Sequence, residues 1–230
     1  MRWLLTILIA LLSSPARCAD AAAADIVAVL YRSQQVRLDA MPLADAESSR
    51  AVRVRDSFDA LTRRLEISVT VELRVIRGET LAETLHGNVV VANEALGDLP
   101  EGGRLFVLAH ELGHVQLGHW TQMELLYRKW VPGSVTQRQT DAIAVPLSRD
   151  ASALAHRQEF EADAFGLRTL RALGLTEQDA LAVFMNLGAR NDTATHPSTR
   201  KRFAMLRSIE PDSMQAAAPL GPPALPVDPH

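Results

Sequence analysis

The spacing of hydrophobic and polar residues along the 230-residue chain predicts helices, with one extended region between them. Alanine, leucine and charged residues recur at helical spacing from Ala21 to about Thr62, which predicts one or two helices interrupted near Met41-Pro42. From Leu65 to Arg77, apolar and polar residues alternate, and this period of two predicts a half-buried strand. A second strand is predicted from His86 to Ala92, where three valines follow the turn-forming Gly87-Asn88.

Beyond the extended region, the hydrophobic pattern returns to the helical period. Four helices are predicted, from Leu105 to about Tyr127, from about Ala151 to Leu173, from Thr176 through Met185, and from Ser198 to near Glu210. Asp179, three residues after Thr176, predicts a cap for the third of these helices. The stretch from Trp130 to Ser148 contains two prolines and a glycine, so an irregular connection is expected there. The pattern therefore predicts an α+β domain, mostly helical, with a small antiparallel or mixed β-sheet beside the helix that starts at Leu105.

Both ends of the chain differ in composition from the middle. Met1-Arg2-Trp3 is followed by an apolar run to Leu12 and then by small residues, which is the layout of a secretory signal peptide. Cleavage is expected after Ala21, and the alternative is an uncleaved membrane anchor. Residues 211–230 hold six prolines and are expected to form a disordered tail, which leaves residues 22–210 as one domain.

Composition and charge narrow the classes of partner. Hydrophobic residues make up 47% of the chain and charged residues 22%, enough for one core of respectable size. The net charge is −3 and the charges are interspersed, so no nucleic-acid partner is expected. Cys18 is the only cysteine and lies in the segment expected to be removed, so the mature chain is expected to have no disulfide.

The principal chemical motif is His110-Glu111-Leu112-Gly113-His114, which has the pattern His-Glu-x-x-His within a predicted helix. Residues four apart lie on one helix face, so both imidazoles can bind the same ion. Glu111 faces nearly the same way and can contact a metal-bound water without displacing it. Two neutral ligands leave zinc electrophilic, and the carboxylate accepts a proton as the water attacks a carbonyl. The motif predicts zinc-dependent hydrolysis with Glu111 as the general base.

A catalytic zinc needs a third protein ligand from elsewhere in the chain. A related motif would place a histidine at position 120, which is Trp120, and the neighbouring His119 is expected to be a surface or structural histidine. In the second long helix, Glu159 shares its face with small or acidic residues, whereas Glu161 has arginines nearby that indicate a solvated face. We expect Glu159 to be the ligand and Asp163 to orient a ligand histidine. The alternative is that these acids are ordinary surface residues.

Three ordered motifs resemble the peptidase family that contains HtpX, BepA and the CAAX prenyl proteases, which are gluzincins. The motifs are Phe106–Val115 with His-Glu-x-x-His, Glu159–Gly166 with Glu-x-x-x-Asp, and His196-Pro197-Ser198-Thr199 with Arg202. The resemblance covers about Leu73 to Leu206. It implies a zincin-like fold for the mostly helical domain.

The resemblance also implies roles for individual residues around one zinc ion per chain. They are the zinc ligands His110, His114 and Glu159, the catalytic base Glu111, and the supporting residues Asp163 and Arg202 behind the ligands. His196 becomes a candidate active-site residue, because in BepA-like members the histidine of this motif can occupy the open zinc position in a resting state. The alternative is a histidine that only begins a helical turn before Pro197.

The expected function is that of a zinc endopeptidase acting on unfolded or misassembled envelope proteins. Its partners would be unfolded or extended polypeptides, with peripheral contact to the membrane or to outer-membrane assembly machinery; the pattern indicates no oligomeric state. The resemblance favours the periplasm, with membrane anchoring or secretion as alternatives. Two other functions stay open: a non-catalytic chaperone or binding module on the same fold, and a zinc hydrolase of a non-protein substrate. The presence of Glu111 favours catalysis.

The strand predicted from His86 to Ala92 carries one further hypothesis about the substrate. It is expected to be an exposed edge that pairs with an extended polypeptide, because backbone pairing reads little sequence and suits a protease of broad specificity. The alternative is an internal strand with no substrate role.

Overall fold

The computed structural model describes residues 25–67 and 69–209, which form seven α-helices and three β-strands. The helices are α1 (Ile26–Ala40), α2 (Ser49–Leu65), α3 (Glu101–Gln116), α4 (His119–Trp130), α5 (Gln137–Ala172), α6 (Glu177–Leu187) and α7 (Thr199–Arg207). The strands are β1 (Glu72–Ile76), β2 (Ala82–Leu85) and β3 (Val89–Asn93), and a short 3-10 helix follows at Glu94–Asp98. The expected α+β class, mostly helical with a small mixed sheet, is confirmed.

Two of the expected segments lie outside the described residues. They are the signal peptide, residues 1–21, and the proline-rich tail, residues 211–230. Within residues 25–67 and 69–209, none of the helices combines the length and the apolar character that a bilayer span requires.

β3 is the central strand of the sheet. It pairs in parallel with β1, where Leu73 lies opposite Val90, and antiparallel with β2, where Thr84 lies opposite Val90. All five residues of β3 are buried. The expectation that His86–Ala92 is an exposed edge is therefore wrong, because this run of valines fills a strand that has a partner on each side. The edge strand next to the candidate site is β2, a segment in which no element was predicted.

Two elements begin or end at other residues than expected. The strand expected from Leu65 begins only at Glu72, because α2 continues to Leu65. The helix expected from Leu105 to Tyr127 is divided into α3 and α4. Gly118 adopts a left-handed conformation there, with φ of +64°, and this turns the chain between the two helices.

The irregular connection expected from Trp130 to Ser148 is much shorter in the structure, and this prediction is wrong beyond Thr136. The Thr136 hydroxyl accepts a hydrogen bond from the Gln139 amide and caps the start of α5. The helix then continues through Pro146. Tertiary packing outweighs the proline, since apolar residues on both sides of it contact the end of α4 in one small cluster that includes Val131, Ile143 and Leu147.

The remaining boundaries agree with the pattern. The break expected near Met41-Pro42 separates α1 from α2. Asp179 accepts hydrogen bonds from the amide and the hydroxyl of Thr176, at 2.8 and 2.7 Å, so the predicted cap of α6 is confirmed. The last predicted helix is α7.

α3 is the central helix of the core, and it packs most extensively against α5. Two glycines allow this close approach. A Cβ atom at Gly113 of α3 would lie 3.1 Å from the Phe165 ring of α5, and a Cβ atom at Gly166 of α5 would lie 3.1 Å from the Phe106 ring of α3. Each helix thus places a glycine beneath a phenylalanine of the other. This packing sets the helix face that carries His110 against the face that carries Glu159.

Candidate metal centre

His110, His114 and Glu159 converge across the contact between α3 and α5. The Nε2 atoms of the two histidines are 3.2 Å apart. Glu159 Oε1 lies 3.4 Å from His114 Nε2, and Glu159 Oε2 lies 3.8 Å from His110 Nε2. One donor atom from each residue lies within 4.8 Å of the other two. The structure therefore brings together all three residues of the expected ligand set.

The spacing and the chemistry of these donors fit a zinc ion. Zinc binds imidazole nitrogen and carboxylate oxygen at about 2.0–2.2 Å in a tetrahedral arrangement, which places neighbouring donor atoms about 3.3 Å apart. The separations of 3.2 and 3.4 Å between donor atoms here agree with that value. Three protein ligands also leave the fourth tetrahedral position for water or substrate, as in catalytic zinc sites.

Asp163 and Arg202 lie on the Nδ1 side of the His110 ring. Asp163 Oδ1 is 3.0 Å from His110 Nδ1, and the two carboxylate oxygens of Asp163 accept hydrogen bonds of 2.6 and 2.8 Å from Arg202. Because an ionised carboxylate only accepts hydrogen bonds, the proton of His110 resides on Nδ1 and its Nε2 lone pair faces the other ligands. The expected contacts of Asp163 and Arg202 are therefore present.

The charges of this centre shift the pKa values of its groups. Burial alone would raise the pKa of Asp163, but the Arg202 guanidinium and His110 outweigh it and lower that pKa. The pKa of Glu159 is also lowered against the effect of burial, by the hydrogen bond from His114 and the charges of His110 and Arg202. Burial lowers the pKa of His110, but the hydrogen bond to Asp163 and the Glu159 carboxylate raise it overall. Both acids are therefore ionised at neutral pH, as metal binding requires.

Glu111 lies beside the ligands, and its carboxylate contacts the edge strand. The Thr84 hydroxyl of β2 is 2.8 Å from Glu111 Oε2 and 3.0 Å from the Glu111 carbonyl oxygen. A cleft of about 570 Å³ opens at this point, and Glu111, the three candidate ligands and β2 all line it. The Glu111 side chain is buried. The glutamate expected to be the base thus lines the same cleft as the three candidate ligands.

His196 lies in the wall of the same cleft. Its Nε2 is 3.8 Å from Glu159 Oε1, which is too long for a hydrogen bond, and its Nδ1 is 2.8 Å from the Thr195 hydroxyl. The side chain is 59% exposed. The structure therefore brings His196 near the candidate ligands, with most of its side chain exposed.

His119 is a neighbour of the ligands that the sequence pattern assigned to a surface or structural role. Its side chain is only 2% exposed, and its Nδ1 lies 2.8 Å from Nδ1 of His114. Its Nε2 lies 3.2 Å from Glu161 Oε2. Burial, together with the neighbouring His114 and His110, lowers the pKa of His119 to about 3, so the ring is neutral. Glu161 keeps the expected charged contact with Arg157, at 3.6 Å, on its other side.

Two contacts of the centre, those of Thr84 and His119, were not predicted. Gly118 is the sequence signal that could have indicated the second, because a glycine at the end of a helical pattern often marks a turn. The turn at Gly118 brings the His119 ring next to His114. Thr84 belongs to a strand of four residues, Ala82–Leu85, in which apolar and polar residues do not alternate.

The chain is similar to known proteins over the region that contains these motifs. A family model described as Peptidase family M48 matches residues 79–210, more than half of the chain. The crystal structure of S. mikatae Ste24p aligns with 78% of this chain at 16% sequence identity and a TM-score of 0.49. The alignment covers 55% of that chain, so the present chain spans about half the length of that protein. A comparison with curated protein sequences finds no match.

Proposed function

Since this chain belongs to peptidase family M48, we propose that it is a zinc-dependent endopeptidase that hydrolyses peptide bonds of unfolded or misassembled proteins. One observation carries the proposal: His110, His114 and Glu159 present three zinc-binding atoms to one point, next to Glu111. The separations of these atoms support one zinc ion per chain.

The residues of the cleft supply the remaining chemistry. When bound, zinc would act as a Lewis acid that polarises the scissile carbonyl and lowers the pKa of water. The Glu111 carboxylate accepts a proton from water as the water oxygen bonds to the carbonyl carbon. It then gives this proton to the amide nitrogen as the carbon–nitrogen bond breaks, which releases an amine and a carboxylic acid. Thr84 donates a hydrogen bond that orients the Glu111 carboxylate for both transfers.

The shape of the cleft supports an extended polypeptide as the substrate. All four residues of β2 line the cleft. β2 pairs with β3 on one side, and among the described residues no strand pairs with its other side. A substrate backbone can therefore add to β2 through main-chain hydrogen bonds, which require little particular sequence. Unfolded proteins offer such backbones, whereas folded domains keep theirs paired.

We propose the periplasm as the site of this activity, with envelope proteins as substrates. The apolar run that follows Met1-Arg2-Trp3 and the small residues up to Ala21 support export. Membrane anchoring through an uncleaved N-terminal segment and full secretion are the alternatives. Fractionation of cells that express the full chain tests this location, and recovery of the protein in the cytoplasm would contradict it.

The proposed activity is tested by incubating the purified protein with unfolded casein and measuring its metal content on the same sample. We expect about one zinc per chain and internal cleavage of casein, because three ligands and one base form a complete site. A chelator should abolish cleavage and added zinc should restore it. Zinc binding without any hydrolysis would indicate a binding module, and hydrolysis of non-protein substrates alone would indicate another hydrolase. A protein that binds no zinc would contradict the proposal.

Replacement of His196 by alanine is expected to weaken zinc binding and to raise the initial rate of casein cleavage about twofold. The reason is that the exposed ring competes with water or substrate for the open zinc position, so its removal increases the competent fraction. Chelator competition and initial rates measure the two effects. His156→Ala is the control, since this ring contacts the Thr193 carbonyl oxygen instead. If zinc affinity and turnover both stay unchanged in His196→Ala, His196 has no part in the centre.

A further inference from the structure

The two candidate ligand histidines have different partners behind them. His110 contacts Asp163, which Arg202 holds with two hydrogen bonds. Among the described residues, no carboxylate contacts His114 Nδ1; this atom lies 2.8 Å from Nδ1 of the buried His119 ring. The peptidase chemistry proposed above does not use His119, although this ring is buried beside a ligand.

The positions of the protons follow from the identity of the groups. For His114 to bind a metal through Nε2, its proton must be on Nδ1. That N–H then donates to His119 Nδ1, which must therefore carry no proton. A proton on His119 Nε2 then faces Glu161 Oε2 at 3.2 Å. The Glu161 carboxylate can only accept, so it fixes the direction of both hydrogen bonds.

The main chain around His119 is also held in place. The Gln158 side-chain amide donates a 2.9 Å hydrogen bond to the carbonyl oxygen of His119. Gly118, in its left-handed conformation, turns the chain so that residue 119 begins α4 next to α3. Glu161 and Gln158 both belong to α5, so one helix holds the ring and the backbone of His119.

We propose that His119 and Glu161 are positioning residues for zinc binding, which hold His114 in the tautomer and the orientation that present Nε2 to the metal. They do for His114 what Asp163 and Arg202 do for His110. The proposal rests on the metal site of the function proposed above and assigns His119 a role beyond filling space in the core. Partners of this kind usually change metal affinity by about 10–100-fold.

The experiment compares four variants in zinc affinity and in the state of the His114 ring. His119→Leu removes the acceptor and keeps the bulk, whereas His119→Asn returns an oxygen near the position of Nδ1. Glu161→Leu removes the final acceptor, and Arg157→Met, the control, removes only the outer contact of Glu161. Chelator competition gives zinc affinities, and nitrogen-15 NMR of the zinc-loaded protein measures how fast the Nδ1 proton of His114 exchanges with water.

We expect His119→Leu to weaken zinc binding about 10–100-fold and to speed the exchange of the His114 Nδ1 proton, which loses its acceptor. His119→Asn should restore most of the affinity and slow this exchange again. Glu161→Leu should weaken binding by a smaller factor, and Arg157→Met should leave it unchanged. If His119→Leu fails to fold, Glu161→Leu still tests the proposal, because it removes the acceptor of His119 and leaves the His119 ring in place.

The result that would overturn the proposal is a folded His119→Leu or Glu161→Leu variant with the zinc affinity and the His114 Nδ1 proton exchange rate of the unmodified protein. Failure of the proposed function gives another pattern. If the unmodified protein binds no zinc, both the metal site and the role of His119 in it are wrong. If it binds zinc but cleaves no casein, the affinities of the variants still decide the role of His119 and Glu161.

Discussion

Replacement of Glu111 by glutamine is expected to lower the turnover of unfolded casein by about 10²–10⁴-fold while zinc stays bound. Glutamine has the same shape, and its amide oxygen can still accept the hydrogen bond from Thr84. It cannot take a proton from water at neutral pH, so the chemical step loses its base. Because the candidate ligands His110, His114 and Glu159 are unchanged, zinc affinity should change by less than about threefold, far less than for loss of a ligand. Rates of casein cleavage and chelator competition on one preparation measure both quantities.

Glu101→Gln is the matched control for this experiment. Glu101 is an exposed residue in the first turn of the same helix, α3, and the substitution has the same effect on net charge. Its turnover should equal that of the unmodified protein. If Glu111→Gln retains full turnover, the base lies elsewhere and the mechanism proposed for the cleft is incorrect.

The second large effect is expected from Arg202→Met, which should destabilise the metal-free protein by about 3–5 kcal/mol at neutral pH. Asp163 is fully buried, and Arg202 donates two hydrogen bonds to it while also lying 3.2 Å from Glu159. Methionine preserves the length of the side chain, but it leaves two carboxylates in the interior without their cation. Urea unfolding of the metal-free variant measures the loss.

The pH dependence of this loss provides a further check. The pKa of Asp163 is lowered in the folded protein, so its interaction with Arg202 contributes stability above the unfolded pKa of about 3.9. This contribution is lost as the pH falls through the folded pKa. The difference between variant and unmodified protein should therefore narrow in acid. Arg200→Met, on the exposed side of α7, is the control and should cost less than about 0.5 kcal/mol. An equal loss in both variants would contradict the importance of the buried pair.

Much of the candidate metal centre could be predicted because it depends on residues that are close together in the sequence. The spacing of His110 and His114 is a property of one helix turn, and the His-Glu-x-x-His pattern is legible without the fold. The preference for Glu159 over Glu161 rested on small neighbours that allow close packing. The structure shows the reason, since Gly166 lies beneath Phe106 on the same face of α5.

The parts that were missed depend on contacts between distant segments. The residues of β3 predict a strand. Whether this strand lies at the centre or at the edge of the sheet depends on its pairing with β1 and β2, which no local pattern specifies. From the local sequence, Pro146 predicts the end of a helix, but the packing of α5 on α4 keeps the helix continuous. His119 lies beside His114 only because the chain turns at Gly118.

The contact between Asp163 and Arg202 also affects when the candidate metal centre can form as the chain is made. Asp163 precedes its partner Arg202 by 39 residues, and α7 is the last described helix. During synthesis the acidic side chains of α5 therefore leave the ribosome before the guanidinium that neutralises them. A nascent chain that stops short of α7 holds the ligand histidines and their acids but cannot bury those acids at low cost. The candidate metal centre should accordingly form late, once Arg202 and α7 have packed against α5.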